Sequence, residues 1–232
     1  MKFTLNKVLA WLIALLVPFM LVMVGVRLVM TPVFPALEYR RPGFPADEYG
    51  FTRDQRDKWS VYAVNFLTNG EGPEYLGDLK DDNGSPLFRE SEVTHMQDVQ
   101  KVTQTSLTVW YVALGFFFAS LIWFLTTKNM KVLRKALFAG GWFTLLLVLG
   151  LIVYLALNFN QLFDQFHRIF FAEGSWLFYA NDTLIRLFPL VFWRDAFILV
   201  LGFTLFAAFV MVLTLRPKKN PPIAETQPFP VK

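Results

Sequence analysis

Four stretches of the chain, Val8–Val26, Leu107–Leu125, Ala136–Leu157 and Ala196–Leu215, contain no charged residue. Each holds roughly 20 residues, the length at which an α-helix crosses a ~30 Å hydrocarbon core. In lipid a lone segment must satisfy its own backbone polar groups, so a helix is the spanning form open to it. The composition agrees, with 55% of residues hydrophobic and 26 of them Phe. These runs predict an all-α polytopic membrane protein with spans at about 8–29, 106–126, 136–157 and 196–215, forming a single membrane domain over 1–217. The first run has the basic flank of a signal peptide in Lys2 and Lys7, but Arg27 and Pro32 follow it in place of a small-residue cleavage site. It is read as a retained helix, with Pro18 a candidate for a kink.

The loops set an orientation. Thr127–Lys135 carries Lys128, Lys131, Arg134 and Lys135 and no acid, and Arg216, Lys218 and Lys219 follow the last run. By the positive-inside rule these segments and both termini face the cytoplasm, with 218–232 a flexible tail. The segments 31–105 and 158–190 then form an extracytoplasmic, mostly helical interfacial cap. All but one of the 18 acids lie on that side. The net charge of +4 therefore follows from topology and implies no nucleic acid partner. With no cysteine, the chain has neither disulfides nor a thiol nucleophile.

Within the first outer segment, Pro32, Pro35, Pro42 and Pro45 argue against regular helix. Thr52 and Gln55 form a capping box that opens a helix to about Leu67, ended by Asn69-Gly70, with Trp59, Tyr62 and Phe66 along one side. Asp82-Asn83-Gly84 marks a tight turn and a candidate hairpin. From Arg89 a second helix runs into the second span and places Glu92, His95 and Asp98 on one face. The aromatic stretch Phe159–Tyr179 is interrupted by charges, too short to cross, and suited to the interface.

Both histidines, His95 and His167, fall in the outer segments. Three readings are open to them. They can be proton-transfer groups, since imidazole titrates near pH 6.5 and a carboxylate such as Glu92 or Asp98 can fix its tautomer. They can be metal ligands, because Glu-x-x-His occurs in di-iron bundles, although the chain lacks the second copy that such sites use. Or they can be interfacial residues without a role. Arg27, Arg168 and Arg186 face a similar choice between lipid phosphate and substrate or oxyanion.

The stretch Leu87-Phe-Arg-Glu-Ser-Glu-Val-Thr-His-Met-Gln-Asp-Val99 resembles the Phe…Glu-x-x-His-Met-x-Asp-Val block of the bacterial lipoprotein intramolecular transacylases, the Lit family. Phe166-His-Arg-Ile-Phe-Phe171, then Trp176 and Leu187-Phe-Pro189, resembles that family's second block. The resemblance extends to about Leu215 but is sharp only in these two blocks. It implies an acyl transfer: the sn-2 chain of a diacylglyceryl-cysteine lipoprotein moves to that cysteine's own α-amine, leaving an N-acyl, lyso-form product.

Such an attack closes an eight-membered ring within one molecule, so the enzyme's work is to hold a floppy tether in a reactive conformer. It needs no enzyme nucleophile and no cofactor or metal. With that reaction His95 and His167 are expected as the catalytic pair and Trp176 as a substrate-binding residue, while helix spacing makes Glu92 and Asp98 the orienting groups and position makes Arg27 and Arg168 candidates for substrate or oxyanion. The implied partners are a diacylated lipoprotein and the membrane lipids. A non-catalytic membrane scaffold and a metal-dependent lipid hydrolase are the alternatives: in a scaffold the histidines need not converge in one lipid-accessible cleft, and in a hydrolase a metal and a bound water should sit between them.

Overall fold

A computed structural model describes residues 2–216, and for 2–3 the backbone alone. The tail expected at 218–232 lies outside the described residues. The order is α1 (Lys2–Val29), α2 (Val33–Glu38), α3 (Arg53–Asn69), α4 (Glu74–Gly77), α5 (Glu90–Thr126), α6 (Met130–Leu157), α7 (Phe159–Phe170), α8 (Thr183–Leu187) and α9 (Leu190–Thr214). Helices α1, α5, α6 and α9 are long and apolar enough to cross a membrane. No strand forms among the described residues. The expected hairpin reduces to a single bridge between Lys80 and Pro86, its turn tied by Asp81 accepting from the Asn83 and Ser85 N–H groups.

Helices α1, α6 and α9 pack backbone to backbone where glycine allows it. A Cβ on Gly140 would lie 2.8 Å from the Val17 side chain and 2.9 Å from the Ala14 carbonyl, and one on Gly141 would lie 2.9 Å from Val212. Association in lipid gains little from hydrophobic transfer, so this close approach supplies the contact. The buried hydroxyls of Thr144 and Thr204 donate to Gly140 O and Val200 O of their own helices, which satisfies both groups inside the bundle. Pro18 sits inside α1, and the helix continues through it.

At ~1.5 Å rise per residue, the 37 residues of α5 reach about 55 Å, far more than the membrane needs. Its first third, which holds Glu90, Glu92, Asp98 and Lys101, therefore stands clear of the hydrocarbon and packs in the cap. The proline-rich crossing does contain helix, contrary to expectation. Pro32 and Pro35 fall at the N-cap and in the first turn of α2, where a missing N–H removes no helical bond. The Thr52 capping box opens α3, and Gly70 closes it in the left-handed region at φ +75°. Trp59 and Phe66 of its stripe are buried in the cap core with Phe88, Val93 and Leu187.

Long-range polar ties hold the cap together. Glu92 accepts from the backbone N–H of Arg89 at 2.8 Å and of Leu184 at 2.7 Å. Thr183 donates to Leu87 O, and Tyr39 donates to Leu187 O at 2.9 Å. Asp47 accepts from Arg186 at 2.9 Å and from Phe51 N at 2.6 Å, and Arg41 bridges Glu38 and Asp195. The segment from α7 to α9 is thereby fastened to the cap end of α5.

Candidate active site

Helix α7 is strongly two-sided. Phe159, Phe163, Phe166, His167 and Phe170 recur at helical spacing, with Gln161, Asp164 and Arg168 turned away from them. The other histidine, His95, sits on the cap part of α5, one turn past Glu92. The fold brings the two rings to a centroid distance of 6.2 Å with 22° between their planes. Both side chains are buried.

Aromatic rings enclose the pair. Phe171 and Phe178 present edges to His95 at 5.0 and 5.4 Å, while Phe163 and Trp176 lie 4.2 and 5.8 Å from His167. His167 Nδ1 is 2.8 Å from Phe163 O, and a carbonyl can only accept, so Nδ1 carries the proton and Nε2 the lone pair. His95 Nδ1 is buried and receives no hydrogen bond among the described residues.

Burial governs the electrostatics. Desolvation, aided by the neighbouring His167, pushes His95 down to about 4 against a weak opposing pull from Asp98. Desolvation also lowers His167, with the Phe163 carbonyl and Asp164 opposing it. At neutral pH both imidazoles are therefore uncharged, each with one N–H and one lone pair, inside a largely buried aromatic shell.

The remaining candidates fall elsewhere. Burial raises the Glu92 carboxyl while its two backbone donors pull it back, and both of its oxygens are taken by those donors. Among the described residues no hydrogen bond joins Glu92 to His95. Asp98 pairs with Lys101 at 3.1 Å. Arg168 is 54% exposed and pairs with Asp164 and Glu173. Arg27 lies half-buried in the last turn of α1, and no hydrogen bond or ion pair reaches it among the described residues. Arg186 is engaged by Asp47. Phe163 and Phe178 were not singled out from sequence, and Phe171 entered only as the end of the second block; the Phe163–His167 spacing of one helical turn was the available signal. No three metal-ligating side chains of the His, Cys, Asp and Glu types meet among the described residues.

A four-span helical membrane protein with a buried histidine pair at one end is the class that fold and site define. The family model of the lipoprotein intramolecular transacylase Lit matches residues 11–193, and the chain belongs to that family. An uncharacterized protein of Aquifex aeolicus (strain VF5) is 28% identical over 217 residues, covering 92% of this chain and 96% of that one. The in meso structure of the membrane integral lipoprotein intramolecular transacylase Lit from Bacillus cereus shares the fold at a TM-score of 0.72 and 20% identity, covering 92% of this chain and 95% of that one. Two further structures of that protein, each with one histidine replaced, superpose at the same TM-score.

Proposed function

We propose that the chain transfers the sn-2 acyl group of a diacylglyceryl-cysteine lipoprotein to the cysteine α-amine, yielding the N-acyl lyso form. The observation that carries this reading is the meeting of His95 and His167, from separate segments, in one aromatic shell at the edge of the membrane-spanning part. A scaffold has no need of that meeting, and a metal-dependent hydrolase calls for a third ligand beside the pair, where no three His, Cys, Asp or Glu side chains meet among the described residues.

In this reading His167 Nε2, the nitrogen left with a lone pair, accepts a proton as the amine nitrogen bonds to the ester carbonyl carbon. The His95 N–H donates a hydrogen bond to the developing oxyanion. The tetrahedral carbon then expels the sn-2 glyceryl oxygen, and His167 returns its proton to that oxygen. One C–N bond forms, one C–O bond breaks, and a single proton passes from nitrogen to oxygen through the enzyme. Trp176 and the surrounding phenylalanines hold the glyceryl and acyl portions against the pair. Arg27 anchors the end of α1 to lipid phosphate.

The cap faces outward in this proposal, where a lipoprotein's glyceryl esters lie. A label at Gly70 is then reached from outside intact cells and one at Asn129 only after permeabilisation; the reverse pattern removes the substrate from the site. Expression in a host that makes only diacylated lipoproteins tests the reaction, with mass spectrometry locating the acyl chains. Transfer puts one on nitrogen and leaves one on glycerol. Unchanged lipoprotein, or loss of a chain as free fatty acid, overturns the reading.

A further inference from the structure

A second feature lies on the far side of Glu92 from the lipid. Arg89, Asp81, Glu92, Asn181, Asp182 and Arg186 line an open polar cavity of about 170 Å³, room for on the order of ten water-sized groups. Glu92 and His95 share a face of α5, and Glu92 is farther from the apolar run by about 4.5 Å of helix rise. The Glu92 wall of the cavity thus lies one helical turn to the water side of His95.

We propose that this cavity receives the polypeptide backbone immediately following the lipidated cysteine. The proposal rests on the transacylase reading and extends it to the protein half of the substrate. Geometry supports it first. With the α-amine at the histidines and the acyl chains in the membrane, the chain must leave toward water. The next Cα is about 3.8 Å from that of the cysteine, so the first residues beyond it arrive at the level of Glu92.

The chemistry of the lining agrees. Asp182, 3% exposed, forms a fixed wall: its Oδ1 pairs with Arg89 Nε at 2.9 Å and its Oδ2 accepts from Tyr179 N at 2.8 Å. Asn181 and the outer nitrogens of Arg89 add donors beside it. The exposed Asn181 amide, which carries a donor and an acceptor together, matches a peptide backbone, which carries one of each per residue. A phosphate would meet three carboxylates, and a lone cation would meet two guanidinium groups. Backbone recognition also leaves side chains unread, as suits an enzyme acting on proteins that share only the modified cysteine.

The test uses two purified substrates, diacylglyceryl-cysteine alone and the same lipid on a peptide extended by four residues, with the full-length protein. The expected result is that the extended substrate has a kcat/KM about tenfold higher. Asn181→Trp, an exposed substitution that fills the cavity, brings the ratio of the two kcat/KM values toward one. Because the readout is a ratio, a general loss of folded enzyme cancels from it. Equal use of the two substrates by the unaltered protein overturns the proposal, and so does an Asn181→Trp protein that keeps the preference. Absence of transfer to either substrate overturns the transacylase reading instead.

Discussion

Inside the spans of α6 and α9 the threonine hydroxyls turn back on their own helices, Thr144 to Gly140 and Thr204 to Val200. Ties between the spanning helices sit at the basic end, where Trp123 donates to Asn6 at 2.8 Å and Arg134 to Leu215 O at 3.2 Å. In the cap, ties span the chain: Tyr39 to Leu187, Glu92 to Leu184, Arg186 to Asp47 and Thr183 to Leu87. The bundle relies on lipid and on close packing at Gly140 and Gly141, whereas the cap is wet on one side and depends on named hydrogen bonds. The histidine pair belongs to the second region. Substitutions at the histidine pair should therefore fall on turnover, and substitutions at the cap ties or in the bundle on the amount of folded protein.

The largest separation is expected at the histidines. His95→Ala and His167→Ala should each lower turnover by about 10²–10⁴-fold, the usual contribution of a general acid–base group. The amount of membrane-inserted protein should hardly change, since neither residue is in a spanning run. The double variant should be little worse than the poorer single one, as the two act on one transition state. Activity assayed per milligram of purified protein checks this, and two fully active variants end the catalytic assignment.

Next in size is the response to pH. Burial depresses both histidines, so as pH falls they stay neutral and competent below 6.5, His95 down to about 4. The reacting amine is the group that protonates first, with an ordinary pKa of about 7.7–8.0. Between pH 6.5 and 7 kcat/KM should therefore fall toward tenfold for each unit of acidification, with its bend near the amine value. A bend near 6.5 instead would mean that a histidine titrates as though solvated, against the burial of the pair.

Glu92 tests whether the cap ties matter to folding or to chemistry. Glu92→Ala removes the acceptor from two backbone N–H groups and should cost on the order of 3 kcal/mol of stability, since bonds to a charged group are worth about 1.5–3 each. Glu92→Gln keeps one acceptor and should fall between. Thermal unfolding in detergent reads this loss. Full stability with low turnover would place Glu92 in direct service of His95. Gly140→Val makes the opposite substitution in the bundle. Its side chain meets Val17 and the Ala14 carbonyl, so about 1–3 kcal/mol should be lost to overpacking, while activity per folded molecule is retained.

The same contrast explains what the sequence allowed. The spans were legible because lipid imposes about 20 uncharged residues on any crossing helix. The Thr52 capping box was legible because its partners are three residues apart. The misread proline crossing failed on position: Pro35 excludes helix from an interior turn but not from the first turn, where α2 places it. Helix α4, at four residues, has too little periodicity to announce itself. At the site, spacing put Glu92, His95 and Asp98 on one face, and resemblance marked both histidines. Spacing could not reveal that the Glu92 carboxylate turns to Leu184, or that Phe178 covers His95, because both contacts join segments more than 80 residues apart.

Asp98 should give the smallest effect and the sharpest contrast with Glu92. It lies on the same helix face, yet its carboxylate is 39% exposed and engaged by Lys101, itself 73% exposed. Such a pair is worth about 0–1 kcal/mol, because water screens it and both side chains lose freedom in forming it. The link from Asp98 to the site is its charge, which partly opposes the depression of His95. Asp98→Asn should therefore push His95 lower still. Above pH 6 that changes nothing, since the ring is already neutral. Turnover at pH 7.5 should stay within about threefold of the unaltered protein, in line with the small worth of the pair. A loss beyond tenfold would show that substrate binding turns the Asp98 carboxylate onto His95, making it the group that fixes the imidazole and moving one catalytic element from the buried shell to the wet face of α5.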